Sequence, residues 1–293
     1  MNSMKLLLVA LAMVTLLLSS CGDDSETQNL TLNISGLENL GDDYAYEGWL
    51  IVDGSPVTAG IFRVNDNGEL SQSSFDIESS VLESATAYVL TIEPSPDNDP
   101  APSDVHILAG DFSSQSAELS VSHNAAIGTD FTSSTGEYIL ATPTDGSDDS
   151  NELSGVWWLN PTNGPSAGLS LPTLPAGWKY EGWAVIDGTA VSTGTFTSVS
   201  GADDDASFSG TEAAAPAYPG EDFLNNAPNG LSFPTDLSGG TVVISVEPSP
   251  DNSTAPFLLK PLVSAIPSNA EDRTVYTMDN NAEATNPFGS VSR

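Results

Sequence analysis

The sequence predicts an all-β chain, with two tandem β-sandwich or open-barrel domains after a lipoprotein signal peptide. Three observations predict it. Apolar residues make up 39 % of the 293 residues and charged ones only 16 %, and six Lys plus Arg leave little to pair along exposed helices. Short runs rich in Val, Ile and Thr are punctuated by Gly, Pro, Asn and Asp, the pattern of strands and turns. Two strings recur in the same order in both halves of the chain, which marks tandem copies of one unit.

Residues 1–20 read as a signal peptide. Lys5 gives the positive start, Leu6 to Leu18 form an apolar run broken only by Thr15, and Ser19 and Ser20 are small. The run is shorter than the about 20 residues of a membrane span. Leu18-Ser19-Ser20-Cys21 resembles a lipobox, which implies lipidation of Cys21, the only cysteine of the chain. Residues 21–27 then form an acidic tether. The expected location is the cell envelope, lipid-anchored at the outer membrane, either surface-exposed or on the periplasmic face.

The first copy is expected over residues 28–145 and the second over 153–281, with 282–293 as a tail. Tyr46 to Phe62 returns as Tyr180 to Phe196 with nine of seventeen positions identical, and Val89 to Asn98 returns from Val243. The first block is a hairpin. Glu47 to Val52 is a strand, Asp53-Gly54 is the turn, and the chain returns through Val57 to Phe62, with Pro56 at the strand start. Both faces of the outgoing strand are apolar, so Trp49 and Trp183 are expected to pack in the core. The second block is a strand from Tyr88 to Ile92, stopped at Glu93-Pro94. Strands at Asp104 to Leu108, Ala117 to Val121 and Glu137 to Ala141 complete the first copy. Ser147 to Ser150 forms a linker, and Val156 to Leu159 opens the second copy.

The copies differ in one place. Between the two blocks lie 26 residues in the first copy and 46 in the second. The extra stretch supplies the candidate partner-binding loop: Asp203, Asp204, Asp205, Tyr218, Glu221, Asp222, Phe223 and Phe233. The competing expectation is that its aromatics fold back and cap one end of the second domain.

The net charge of −34 excludes nucleic acid and anionic lipid as direct partners, so membrane attachment falls to the lipid. Two histidines and no spare thiol speak against zinc, no Gly-x-Ser-x-Gly elbow or phosphate loop is present, and no catalytic residue is assigned. No cofactor is expected. The recurring Glu93, Asp97, Glu247 and Asp251 are the weak metal candidates, with Ca²⁺ the ion that suits them, against a simpler role in ending strands and bonding turns.

Several motifs occur in the same order in each copy: an aromatic before an apolar strand (Trp49, Trp183), the Asp-Gly turn (Asp53-Gly54, Asp187-Gly188), Gly-x-Phe (Gly60 and Phe62, Gly194 and Phe196) and Glu-Pro (Glu93-Pro94, Glu247-Pro248). Together they resemble the extracytoplasmic domain of anti-sigma-K factor (RskA)-like proteins. The glycines frequent after Glu-Pro in that family are replaced here by Ser95-Pro96-Asp97 and Ser249-Pro250-Asp251. The family's cytoplasmic sigma-binding domain and transmembrane helix are not expected in this chain, so direct contact with a sigma factor is not either. The resemblance implies a non-enzymatic envelope lipoprotein that binds or signals through duplicated outer modules, with an unknown envelope protein or polymer as partner. The alternative is a surface glycan- or polymer-binding protein, or an accessory to a secreted hydrolase.

Overall fold

The computed structural model describes residues 26–251 and 253–293. Cys21, its lipidation and the signal peptide lie outside the described residues. The chain runs β1 (Thr27–Ser35), β2 (Tyr44–Val52), β3 (Ser55–Phe62), β4 (Ser74–Glu78), the short α1 (Ser79–Ser84), β5 (Ala85–Pro94), β6 (His106–Asp111), β7 (Ser116–Ser120) and β8 (Thr135–Leu140). It continues through β9 (Gly155–Trp157), β10 (Leu159–Asn160), β11 (Ser166–Ala167), β12 (Leu169–Ser170), β13 (Trp178–Ile186), β14 (Thr189–Phe196), β15 (Gly220–Asp222), β16 (Thr241–Pro248), β17 (Leu262–Ala265), β18 (Tyr276–Asn280), α2 (Ala282–Thr285) and β19 (Phe288–Ser292).

Two large antiparallel sheets result, each curled into a nearly closed barrel. The first has the order β3-β2-β5-β6-β7-β19-β1-β4, and the second β14-β13-β16-β17-β18-β8-β9-β15 with β12 beside β8. The twin hairpins β2–β3 and β13–β14 form as the residues require. Asp53 and Gly54 take φ of 50° and 78°, and Asp187 and Gly188 take 50° and 82°. This is the doubly left-handed turn that matches strand twist and that Asp-Gly tolerates best. Each hairpin carries the same bulge, between Gly48 and Trp49 and between Gly182 and Trp183. Pro56 sits in β3, an edge strand, where its missing N–H costs no ladder bond. β2 is buried along both faces, as its apolar sequence demands. Trp49 packs outward on Val89, Ala109 and Ala126, while Tyr46 and Leu50 belong to the large core.

Matching strands occupy matching places in the two sheets, with one exchange. β7 of the first copy is followed in sequence by β8, yet β8 pairs with β18 in the second barrel. β18 is followed by β19, yet β19 pairs with β7 and β1 in the first barrel. The register is the same in both: Gly289 stands opposite Leu119, and Gly136 opposite Met278. The expected boundaries 28–145 and 153–281 therefore cut across the sheets, and the expected tail 282–293 supplies an inner strand. The physical reason is that the two slots are equivalent, so either copy's last strand satisfies the backbone groups of either barrel. One apolar cluster runs from Leu30 and Tyr88 through Phe131 to Trp158 and Ile244, and so spans both barrels. Among the described residues no helix is long and apolar enough to cross a membrane.

Candidate binding cleft and carboxylate centre

The strand-ending Glu-Pro motifs of both copies converge between the barrels. Pro94, from the end of β5, and Pro248 to Asp251, at and after the end of β16, line a cleft of about 340 Å³ together with Glu38, Tyr44, Val105 and Phe257. The two copies meet closely beneath it. Ser249 donates its N–H to the Gly177 carbonyl at 2.8 Å, and Gly177 lies directly against the backbone of Asp104. Glu38 is half-buried at the cleft wall, and burial, offset by Lys260, pushes its carboxyl up to about 7. Burial in turn lowers the Lys260 ammonium from its ordinary value.

Behind each Glu-Pro motif lies a buried polar chain of the same design. In the first barrel the Trp49 indole N–H donates to Thr91 Oγ1 at 2.9 Å, the Thr91 hydroxyl donates to Glu93, and Glu93 Oε1 also accepts the Ser103 N–H at 2.9 Å. Glu47 on the neighbouring strand accepts the Thr58 hydroxyl at 2.5 Å. In the second barrel Trp183 donates to Ser245 Oγ at 2.8 Å, Glu247 Oε1 accepts the Phe257 N–H at 2.9 Å, and Glu181 accepts the Ser192 hydroxyl. Both tryptophans are thus buried with a satisfied indole, Trp49 in the small cluster outside the large core.

The second barrel gathers its acids more tightly. Glu181, Glu247 and Asp251 each bring one carboxylate oxygen within 4.8 Å of the other two. Glu181 is 5 % exposed and Glu247 1 %, and Oε2 of each is buried without a hydrogen-bond partner. Burial pushes the Glu181 carboxyl up to about 7 and that of Glu247 up to about 8. Of the four expected metal candidates, the structure therefore places Glu247 and Asp251 together and adds Glu181. Glu93 and Asp97 occupy the corresponding places in the first barrel, where Glu93 is held by Thr91 and Ser103. Glu47 and Glu181 were missed in the sequence, although an acid repeated inside a strand with two apolar faces is a readable signal, because burying a carboxylate is costly unless something compensates it.

The insertion of the second copy is built into the barrel. Glu221, Asp222 and Phe223 are 1 %, 0 % and 0 % exposed, so these three expected partner-binding residues face the core. Asp222 accepts the Trp157 indole N–H at 2.8 Å, the Thr144 N–H at 2.7 Å and the Thr144 hydroxyl at 2.5 Å. Glu221 accepts the Phe208 N–H at 3.2 Å and the Ser209 hydroxyl. Phe233 is half-buried against Phe208 and Phe223, with ring centroids 5.5 and 5.4 Å away. The reason is the pairing of β15 with β9, which carries these side chains inward and fills the barrel's open edge. Asp203, Asp204, Asp205 and Tyr218 do gather, around a shallow hollow of about 320 Å³ over Trp157. Asp203 accepts the Gly220 N–H at 2.8 Å, and burial raises its carboxyl to about 7. Asp204 pairs with Lys179 at 2.8 Å, Asp205 accepts the Ser207 hydroxyl at 2.6 Å, and Tyr218 donates to the Pro165 carbonyl at 2.9 Å. His106 Nδ1 bonds the Ala125 carbonyl at 2.8 Å and so serves the fold.

The fold is a duplicated β module, and its motifs are similar to those of one family's outer domain. The family described as anti-sigma-K factor rskA, C-terminal, matches residues 10–106, which hold the first hairpin and the first Glu-Pro motif. The match covers less than half of the chain and ends before the second copy, in which the same motifs recur. Comparison with curated proteins and with solved structures yields no match.

Proposed function

We propose that this chain is a non-enzymatic, lipid-anchored cell-envelope protein. Its two anti-sigma-like modules bind a ligand in the cleft between them and report on the envelope. The observation that carries this reading is the match of residues 10–106 to the anti-sigma-K C-terminal family, joined to the recurrence of that module in the second barrel. The cleft adds to it: an apolar concavity with a few polar groups, lined by both copies, is the usual form of a ligand site. The anchor is Cys21, at the end of the lipobox-like Leu18-Ser19-Ser20-Cys21, and it carries more than one acyl chain because a single chain binds only marginally. A strain carrying Cys21→Ala and a strain carrying the cleft-filling Asn39→Trp, at an exposed cleft position, test the reading together. Both are expected to change the same set of envelope-stress transcripts, and Cys21→Ala to leave the membrane fraction. Parental transcript profiles in both strains overturn the signalling role. Retention of Cys21→Ala in membranes overturns the anchor.

A further inference from the structure

We propose that Glu181, Glu247 and Asp251 form a single-cation site of the Ca²⁺ class in the second barrel, entered from the cleft between the barrels. The inference goes beyond the envelope-binding role and does not depend on it. Geometry comes first. Calcium takes oxygen ligands at about 2.3–2.6 Å, so two ligands of one ion stand at most about 5 Å apart. The three carboxylates meet that limit, with one oxygen from each within 4.8 Å of the others. An all-carboxylate set of oxygen donors suits a hard divalent cation, and Ca²⁺ is the one that accepts flexible, irregular geometry.

The orphaned oxygens are the second and independent observation. Glu181 and Glu247 are more than nine-tenths buried, each has one oxygen fixed by a donor, and each has Oε2 left without any partner. Buried polar groups are nearly always satisfied, and two orphaned acceptors on carboxylates of one cluster ask for a positive occupant. Among the described residues, none of the salt bridges involves Glu181, Glu247 or Asp251. The donors already present orient the carboxylates, which is what groups behind metal ligands do. Asp251 is half-exposed and lines the cleft, so an ion has an entry path and room for water ligands.

The first barrel supplies an internal control. Glu47, Glu93 and Asp97 stand at the corresponding sequence positions. Among the described residues, no oxygen of Glu47 or Glu93 is both buried and unpartnered, and only the second-barrel trio meets the spacing. The described residues therefore offer one such cation site.

The test is calorimetric titration of the metal-stripped full chain with CaCl₂, in enough NaCl to screen diffuse binding to the acidic surface. Wild type should bind one saturable equivalent and melt at higher temperature with Ca²⁺. Glu247→Gln, Glu181→Gln and Asp251→Asn should each weaken binding at least about tenfold, while Glu93→Gln leaves it unchanged. Asp251→Asn alters a half-exposed side chain and keeps the test decisive if a core variant fails to fold. Absence of a saturable equivalent in wild type overturns the site, as does an equivalent that survives in Asp251→Asn.

Discussion

Asn280, at the end of β18, donates its side-chain amide to the backbone carbonyl of Phe131 at 2.9 Å, in the connection between β7 and β8. The same amide reaches the Ser134 carbonyl at 2.9 Å, and Asn286 reaches the Asp130 carbonyl at 2.8 Å. The two segments that carry the exchanged strands across are thus fastened to each other where they pass.

The exchange is testable by cross-linking. Glu137 faces Thr277 across β8 and β18, and Glu118 faces Ser290 across β7 and β19. Directly opposed Cβ atoms lie about 4.5–5.5 Å apart, near the reach of a disulfide. In a Cys21→Ala background, Glu137→Cys with Thr277→Cys should oxidise to an intramolecular disulfide, as should Glu118→Cys with Ser290→Cys. Oxidation of the alternative pair Glu118→Cys with Glu137→Cys, while these two pairs stay reduced, rejects the exchange.

Stability should fall as pH rises through neutrality. Burial raises Glu38, Glu181 and Asp203 to about 7 and Glu247 to about 8. Each carboxyl holds its proton more tightly in the folded chain than in the unfolded one. The stability this contributes is complete below the unfolded carboxylate range and is lost as pH climbs through the folded values. The melting temperature of the metal-free protein should therefore drop between about pH 5 and about pH 8. Glu247→Gln should flatten that slope, and an equal slope in the variant counts against this assignment.

The insertion should prove structural. Phe223 is fully buried, and its truncation to Ala should cost about 3–5 kcal/mol, read as a lower urea midpoint. Asp222→Ala strands the Trp157 indole and both Thr144 donors and should cost about 3 kcal/mol. Variants with midpoints close to wild type would return the loop to the surface.

Gly177 sets the spacing of the barrels. Its φ is +83°, and an added Cβ would fall 2.4 Å from the Asp104 carbonyl oxygen. Gly177→Ala should lower the melting temperature, with a cost of about 1–3 kcal/mol from overpacking and more from the backbone. It should also widen the neighbouring cleft, seen as increased hydrogen exchange at Val105 and Phe257.

The hairpins were legible because Asp-Gly and apolar runs act locally: Asp53 and Asp187 adopt the same φ for the same reason. β1 was passed over in the sequence, although Asn29 to Ile34 alternates polar with apolar and buries Leu30, Leu32 and Ile34. The exchange was not legible. Gly136 and Gly289 hold equivalent registers, so no local preference says which barrel either strand joins, and that choice lies in contacts such as Asn280 to Phe131. The carboxylate centre was half legible. Glu247 and Asp251 recur by motif, but Glu181 reaches them only through the pairing of β13 with β16, which sets Glu181 opposite Ser245.

Because each barrel borrows an inner strand from the other copy, the repeat unit of the gene is not the repeat unit of the fold. A mutation in Gly136 is inherited with the first copy but judged by the second, and a mutation in Gly289 the other way round. Loss of either copy would take a strand from the survivor and leave an orphan strand in its place. The pair is therefore kept or lost together, and the two halves evolve under each other's constraints.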